Sequence, residues 1–114
     1  MSNVRFHPSL KHLVDEIVLK LEGVVPGKMF GYPAYYIKGR LFACVYENVV
    51  GLKIPSQRAT EFVQDQLVTY FLPRGKRQMK EWVQHGYPTE NQFVFLENLI
   101  LESCTYVQSI LQKN

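Results

Sequence analysis

The stretch that decides the fold is residues 28–54, which read KMFGYPAYYIKGRLFACVYENVVGLKI. Aromatic and β-branched residues are frequent in it, and residues typical of tight turns interrupt it at Lys38-Gly39 and at Glu47-Asn48. Connections this short require antiparallel pairing. The pattern therefore predicts three antiparallel strands joined by two hairpin turns, at about 29–37, 41–46 and 49–54, with Gly39 at positive φ.

The first two strands carry further positional information. Pro33 cannot donate to a strand ladder, so the first strand lies at a sheet edge, contains a bulge, or begins only after Pro33. Pro26-Gly27, just before that strand, is a turn signal. Both alternating faces of Leu41–Tyr46 are apolar, which favours a central strand covered on both sides.

The rest of the chain alternates between helical and strand patterns. Apolar residues at helical spacing, Ser56 as an N-cap and the Thr89…Gln92 capping box support the helices. We expect helices at 8–22, 57–66 and 90–112, strands at 68–72 and 79–84, and a linker at 85–88. The order is therefore αβββαββα, which predicts a single α+β domain over residues 1–114, with a five-stranded, mainly antiparallel sheet packed by three helices.

The composition indicates a globular domain of ordinary size. Of the 114 residues, 46% are apolar and 13% are aromatic, which is enough for one hydrophobic core. The formal net charge of +3 permits an anionic partner without requiring one. The 2 cysteines are too few for a secreted domain held by disulfides. No apolar run reaches the roughly 20 residues of a membrane span, so we expect a cytoplasmic protein that does not enter membranes.

The strand motifs resemble those of a known family, the N-terminal domain of the TfoX competence regulators. The resemblance depends on Met29-Phe30-Gly31, Tyr35-Tyr36, Gly39, Leu41-Phe42-Ala43 and Leu52-Lys53. Residues 71–83 and the terminal helix resemble small uncharacterised bacterial relatives of that domain. The resemblance covers about residues 10–110. It implies a secretion-chaperone-like α+β fold and a regulatory role without established catalytic activity, whereas the longer competence regulators carry a further C-terminal domain.

Residues typical of catalysis or metal binding form no recognisable constellation. His7, His12 and His85 do not have metal-ligand spacing with one another or with the cysteines. No serine stands in a nucleophile elbow, and no glycine run matches a phosphate loop. His85 is the best single acid–base candidate, with an exposed loop histidine as the alternative. We therefore predict no catalytic, cofactor or metal site, and a protein that is not an enzyme.

Two groups of residues are candidates for binding. The first is a basic cluster that could contact nucleic acid or another anion, or could be a solvated loop: Arg74, Lys76, Arg77 and Lys80. The second is a set that could line a pocket or an interface, or could be core: Tyr32, Tyr35, Tyr36, Trp82, Phe95, Leu99, Tyr106 and Ile110. We expect Trp82 to be largely buried and to anchor its strand to a helix.

Three functions are compatible with these patterns. The leading hypothesis is a non-enzymatic binding or regulatory module that acts through contact with another protein. The alternatives are a nucleic-acid-binding module that uses the 74–80 cluster, and a small-molecule-binding protein or enzyme. A homodimer is also expected, because the last helix carries two adjacent apolar stripes. The stripe around Phe95, Leu99, Tyr106 and Ile110, or the opposite face of the sheet, would be the buried surface.

Overall fold

The computed structural model describes residues 4–73 and 77–112. Within these residues the helices are α1 Pro8–Val18, α2 Ser56–Gln64 and α3 Phe93–Gln112, the last preceded by one 3₁₀ turn at Glu90–Gln92. The strands are β1 Val24–Met29, β2 Tyr32–Ile37, β3 Arg40–Tyr46, β4 Val49–Lys53, β5 Thr69–Tyr70 and β6 Trp82–Gly86.

The six strands form one antiparallel sheet in the order β1-β2-β3-β4-β6-β5. Successive hairpins connect β1 to β2, β2 to β3 and β3 to β4. Strand β6 pairs with β4, and the short β5 pairs with β6 at the far edge of the sheet. The predicted α+β fold with three helices is confirmed for the described part of the chain. One strand more than predicted is present, because residues 24–29 form a strand of their own and the next begins only at Tyr32.

Two of the hairpins have the same turn geometry. In the β1–β2 turn, Phe30 and Gly31 have φ of 51° and 87°, and in the β2–β3 turn Lys38 and Gly39 have φ of 51° and 78°. Positive φ at both central positions is the signature of a type I′ turn, whose twist matches that of the flanking strands. The predicted Lys38-Gly39 turn is confirmed. The Phe30-Gly31 turn was not predicted, because phenylalanine is an unusual residue at positive φ.

All three helices contribute to one hydrophobic core on one face of the sheet. The inward side of α1 consists of Leu10, Val14, Ile17 and Val18, all buried. This helix begins as predicted, because the Nδ1 atom of His7 accepts a hydrogen bond of 3.1 Å from the backbone N–H of Leu10. The core also contains strand residues from β2, β3, β4 and β6, so the helices cover the centre of the sheet on this side.

Several predicted boundaries are wrong. Pro26-Gly27 lies inside β1 rather than in a turn, because an edge strand does not need the missing proline N–H. α1 ends at Val18 instead of residue 22, and Pro55, not Ser56, is the N-cap residue of α2. Residues 85 and 86, which were predicted to begin the linker, belong to β6, because His85 pairs with Val50 in the sheet.

A β-bulge in β3 fixes which side chains reach each face. Leu41 pairs with Tyr36 and Ala43 pairs with Tyr35, so Phe42 is an additional residue between them. Phe42 and Ala43 both join the core under the helices, whereas Leu41 belongs to the second cluster on the opposite face. Leu41 and Cys44 therefore share the second face, although strict alternation would separate them.

The prediction that the last helix has an uncovered apolar stripe is wrong. Leu99 is buried, and Phe95 and Tyr106 are partly buried and pack against the core, because α3 lies over the middle of the sheet. Ile110 is half-buried. Among residues 93–110 of α3, the exposed large apolar side chains are those of Phe93, Val94 and Leu101. This stripe therefore does not provide the dimer surface that was predicted for it.

Candidate functional site

The second face of the sheet carries its own small apolar cluster. Its buried members are Ala34 from β2, Cys44 from β3 and Phe71, which follows β5. The partly buried members come from the strands and the adjoining segments: Met29, Tyr36, Leu41, Tyr46, Val49 and Trp82. Among the described residues no helix contributes to this cluster. In the part of the chain that the structure describes, this face is therefore covered by its own side chains and by Phe71, Pro73 and Met79.

Four aromatic rings form a continuous row across this face. The ring centroids of Tyr32 and Tyr46 are 4.5 Å apart, and that of Phe71 lies 5.6 Å from Tyr46 in an edge-to-face arrangement. The indole of Trp82 continues the row at 6.0 Å from Phe71. These spacings are those of favourable aromatic pairs. The row links β2, β3 and β6 and gives the face a preformed aromatic floor.

A pocket of about 500 Å³ opens beside this row. One wall is the β1–β2 hairpin, and the other contains Phe71, Pro73 and Met79. The lining residues are Met29, Phe30, Tyr32, Leu41, Tyr46, Phe71, Pro73, Met79 and Trp82. Nearly all of the lining is apolar or aromatic. We call this site the aromatic pocket.

Phe30 stands at the rim of the aromatic pocket. It occupies the tip of the β1–β2 hairpin at φ 51°, and its side chain is 75% exposed. A non-glycine residue in the left-handed region costs roughly 1–2 kcal/mol, and asparagine, aspartate or glycine is usual at this turn position. The chain therefore presents a large apolar ring to solvent at a position where local preference favours a small polar residue.

Cys44 lies beneath Phe71 and is not a nucleophile. Its thiol is buried, and burial raises its pKa to about 12, although a hydrogen bond with the Gly51 backbone acts to lower it. Burial also raises the pKa of Cys104, which lies in the helix-covered core. Both thiols are therefore protonated at neutral pH, and thiolate chemistry is not expected from either.

The predicted tyrosine set divides between the two faces of the sheet. Tyr32 lines the aromatic pocket. Tyr36 lies on the same face but outside the lining, and its hydroxyl donates to the carbonyl of Lys28 at 2.8 Å. Tyr35 points to the helix side, where its hydroxyl donates to Asp15. Burial, and then the bond to Asp15, raises the pKa of Tyr35.

Trp82 lines the aromatic pocket, but its predicted anchoring role is wrong. It is half-buried on the face opposite the helices, where it contacts Phe71 rather than a helix. The remaining predicted residues, Phe95, Leu99, Tyr106 and Ile110, belong to α3 and are not in the lining of the aromatic pocket. Tyr106 donates a hydrogen bond to Glu81, whose carboxylate also lies 3.7 Å from Lys53 Nζ.

The structure describes half of the predicted basic cluster. Arg77 and Lys80 are exposed, on either side of the pocket residue Met79. Arg74 and Lys76 lie outside the described residues. Neither Arg77 nor Lys80 is among the residues that line the aromatic pocket.

The histidines have different partners. His85 is buried in β6, with Nδ1 2.7 Å from the carbonyl oxygen of Gly86, and its ring lies 6.0 Å from Phe95. His12 forms an exposed pair with Glu16 on α1. Within residues 4–73 and 77–112, no three histidine, cysteine or acidic residues group as metal ligands would. No helix in the same residues is long and apolar enough to cross a bilayer.

Sequence reasoning missed most of the pocket wall. Met29, Phe30, Leu41, Phe71, Pro73 and Met79 were assigned to strands or turns without a binding role. A signal was present at Phe30-Gly31, where an aromatic residue precedes a glycine between two strand patterns. Phe71 offered no such signal, because its location depends on the path of a connection between strands.

The chain matches no protein-family model, no curated protein and no solved structure. The resemblance to the TfoX N-terminal domain therefore stays a prediction.

Proposed function

We propose that this protein is a non-enzymatic binding module whose ligand is a small apolar molecule held in the aromatic pocket. The observation that supports this most is the pocket itself, a recess of about 500 Å³ with apolar and aromatic walls. Small-molecule sites are typically concave, mainly apolar and about 300–1,000 Å³ in volume. The proposal selects the small-molecule alternative from the sequence and keeps the expectation of a non-enzymatic role.

The exposure of Phe30 supports a ligand at this position. Burying apolar surface contributes about 25 cal/mol per Å², so a ring that stays 75% exposed forgoes most of that gain in the isolated protein. A ligand seated against Phe30 and Met79, which is 36% exposed, would remove both from water. Burial of these two side chains would then contribute to the free energy of binding instead of to the free energy of folding.

The other two functions predicted from the sequence have less support. A protein partner could insert an apolar side chain into the same pocket, and a regulatory role of the kind that the resemblance implies is compatible with ligand binding. Nucleic-acid binding depends on the basic cluster, of which Arg77 and Lys80 are the described members. A nucleobase carries several donors and acceptors that apolar walls would leave unpaired, at a cost of about 1–3 kcal/mol each. The aromatic pocket therefore suits an apolar body better than a base.

The test uses the intrinsic fluorescence of Trp82, because the chain has 1 tryptophan and it lines the aromatic pocket. Titration with the neutral probe phenylnaphthylamine should produce a saturable change in tryptophan emission. Met79→Ala should weaken binding at least about threefold, since each buried methylene contributes about 0.8 kcal/mol. Leu101→Ala is the matched control, because Leu101 has the same 36% exposure on α3 and should bind like the wild type.

Two results would contradict the proposal. One is the absence of any saturable change in emission. The other is an equal loss of affinity in the Met79 and Leu101 variants, which would indicate nonspecific binding. Binding of a partner protein that Met79→Ala weakens while phenylnaphthylamine does not bind would instead favour the protein-contact function.

A further inference from the structure

The N-terminal segment, residues 4–7, is bonded to the hairpin turn between β3 and β4. Phe6 forms a parallel bridge with Glu47 in this turn, and the N–H of His7 donates to the carbonyl of Glu47 at 2.9 Å. The side chain of Phe6 also packs against the helix-covered core. The segment is therefore fixed to the turn that directly follows Tyr46, a lining residue of the aromatic pocket.

The first described residue of this segment, Val4, packs against the tip of the β1–β2 hairpin. A Cβ atom at position 31 would lie only 2.7 Å from Cγ2 of Val4, with Cβ and Cγ1 of Val4 at 3.7 and 3.9 Å. Val4 thus occupies the space that a side chain at position 31 would fill. The segment therefore bridges two hairpin turns that lie at the same end of the sheet.

The position of Gly31 determines that of Phe30. These two residues form the whole loop between Met29 and Tyr32, which pair with each other, and both have positive φ. A two-residue loop has a geometry that is set by its turn type, so a shift at Gly31 also moves Phe30. Phe30 and the two residues that flank the loop all line the aromatic pocket.

The β2–β3 hairpin has the same type of turn without such a contact. Gly39 occupies the position equivalent to Gly31, at φ of 78°. Within the described residues, and apart from its chain neighbours, no atom lies within 4 Å of the place of a Cβ at position 39. This type of turn therefore does not require a contact like that of Val4, which is present at the hairpin that carries Phe30.

Resting on the proposed function, we infer that Val4 is a positioning residue for ligand binding in the aromatic pocket. It supports Gly31 and thereby holds Phe30 at the rim, where the ligand contacts the ring. Valine suits this role because its branched side chain has few rotamers. Displacing Val4 should therefore change the affinity of the pocket although every lining residue is still present.

Two matched glycine substitutions test this contact, with phenylnaphthylamine affinity measured by Trp82 emission. Gly31→Ala places a methyl group against Val4 and should weaken binding at least about fivefold, because overpacking displaces the turn. Gly39→Ala imposes a similar positive-φ strain without that contact, so its affinity should stay within about twofold of the wild type. Far-ultraviolet circular dichroism checks that each variant is folded.

Substitutions of Val4 test whether the effect passes through this residue and Phe30. Val4→Ala removes Cγ2 and leaves Cβ at 3.7 Å from the methyl group of Gly31→Ala, an ordinary contact distance. The double variant should therefore recover most of the affinity that Gly31→Ala loses. Val4→Ala alone should weaken binding about threefold, because the turn loses methyl contacts. In a Phe30→Asn background it should have no further effect, because the ring through which it acts is absent.

The outcomes separate this inference from the proposed function. Equal weakening by Gly31→Ala and Gly39→Ala would overturn the inference, because turn strain alone would then explain the loss. Failure of Val4→Ala to restore binding in the double variant would also overturn it. If Gly31→Ala does not fold, an equal loss from Val4→Ala with and without Phe30 overturns it instead. Each of these results leaves the proposed function intact, whereas a wild-type protein that does not bind the probe removes both.

Discussion

Phe71 lies directly against Gly51, so closely that a Cβ atom at position 51 would come within 3.2 Å of two atoms of the Phe71 ring. The same Cβ would lie 3.1 Å from the sulfur of Cys44. Glycine in a central strand is otherwise unfavourable, because it has no side chain to pack. Here the missing side chain makes room for the ring, which forms the centre of the floor of the aromatic pocket.

Gly51→Ala should therefore lower the free energy of unfolding by about 1–3 kcal/mol, because the added methyl group overpacks this contact. Urea unfolding followed by circular dichroism measures the change. Gly86→Ala in the neighbouring strand is the control, because its Cβ would meet only a backbone oxygen at 3.9 Å. Equal stability of the Gly51 variant and the wild type would mean that Phe71 does not rest on Gly51.

A second prediction concerns the bulge in β3. The hydroxyl of Ser103 on α3 donates to the carbonyl of Phe42 at 2.8 Å, and both residues are buried. Ser103→Ala would leave this carbonyl without its partner and should cost about 1–3 kcal/mol. Ser109→Ala is the matched control, because its hydroxyl bonds within its own helix to Tyr106 and is only half-buried. Ser103→Ala should lower the thermal unfolding temperature clearly more than Ser109→Ala does. Similar losses in the two variants would contradict a stabilising bond between Ser103 and the carbonyl of the bulge residue Phe42.

A third prediction concerns alkaline pH. Burial, followed by the hydrogen bond to Glu81, raises the pKa of Tyr106 from 10.0 to about 12. Because the folded state holds this proton more tightly than the unfolded chain, the contribution to stability is present below pH 10 and is lost as the pH rises towards 12. Tyr35, whose pKa is also raised, acts in the same direction.

Tyr106→Phe removes one of these titrating groups. The variant should be less stable than the wild type at pH 8, because it lacks the bond to Glu81, but its stability should fall less steeply above pH 10. Urea midpoints at pH 8, 10 and 11 measure the slope. Parallel slopes for the variant and the wild type would contradict the raised pKa.

Much of the fold was predictable because local signals agree with the final structure. The Lys38-Gly39 turn, the Thr89–Gln92 capping box and the amphipathic pattern of α1 are each sufficient to define an element. The split between β1 and β2 was not predictable from turn statistics, because Phe30 occupies a position where asparagine or glycine is usual. The bulge at Phe42 is similarly unmarked in the sequence, and it decides which face Leu41 reaches.

The aromatic pocket was harder to predict than the fold. Because side chains alternate along β2, Tyr32 and Tyr36 lie on the face opposite Tyr35. The same alternation, applied to the sequence, could have predicted that these candidate tyrosines divide between the two faces of the sheet. The opposite wall could not be predicted, because Phe71, Pro73 and Met79 reach the pocket through an irregular connection. No periodicity in such a segment indicates where its side chains point.

The most direct test of ligand binding at the aromatic pocket uses two equivalent turn positions. Phe30 and Lys38 each precede a glycine in a type I′ turn, at the same φ of 51°, but only Phe30 lines the pocket. Asparagine suits this conformation, so Phe30→Asn and Lys38→Asn should each leave the free energy of unfolding unchanged or raise it by up to about 1 kcal/mol.

Binding of phenylnaphthylamine, followed by Trp82 emission, should separate the two variants. We expect Phe30→Asn to weaken binding about tenfold, which corresponds to about 1.4 kcal/mol of lost apolar contact. Lys38→Asn should bind like the wild type. Unchanged affinity in a stably folded Phe30→Asn variant would contradict the assignment of the aromatic pocket as the binding site.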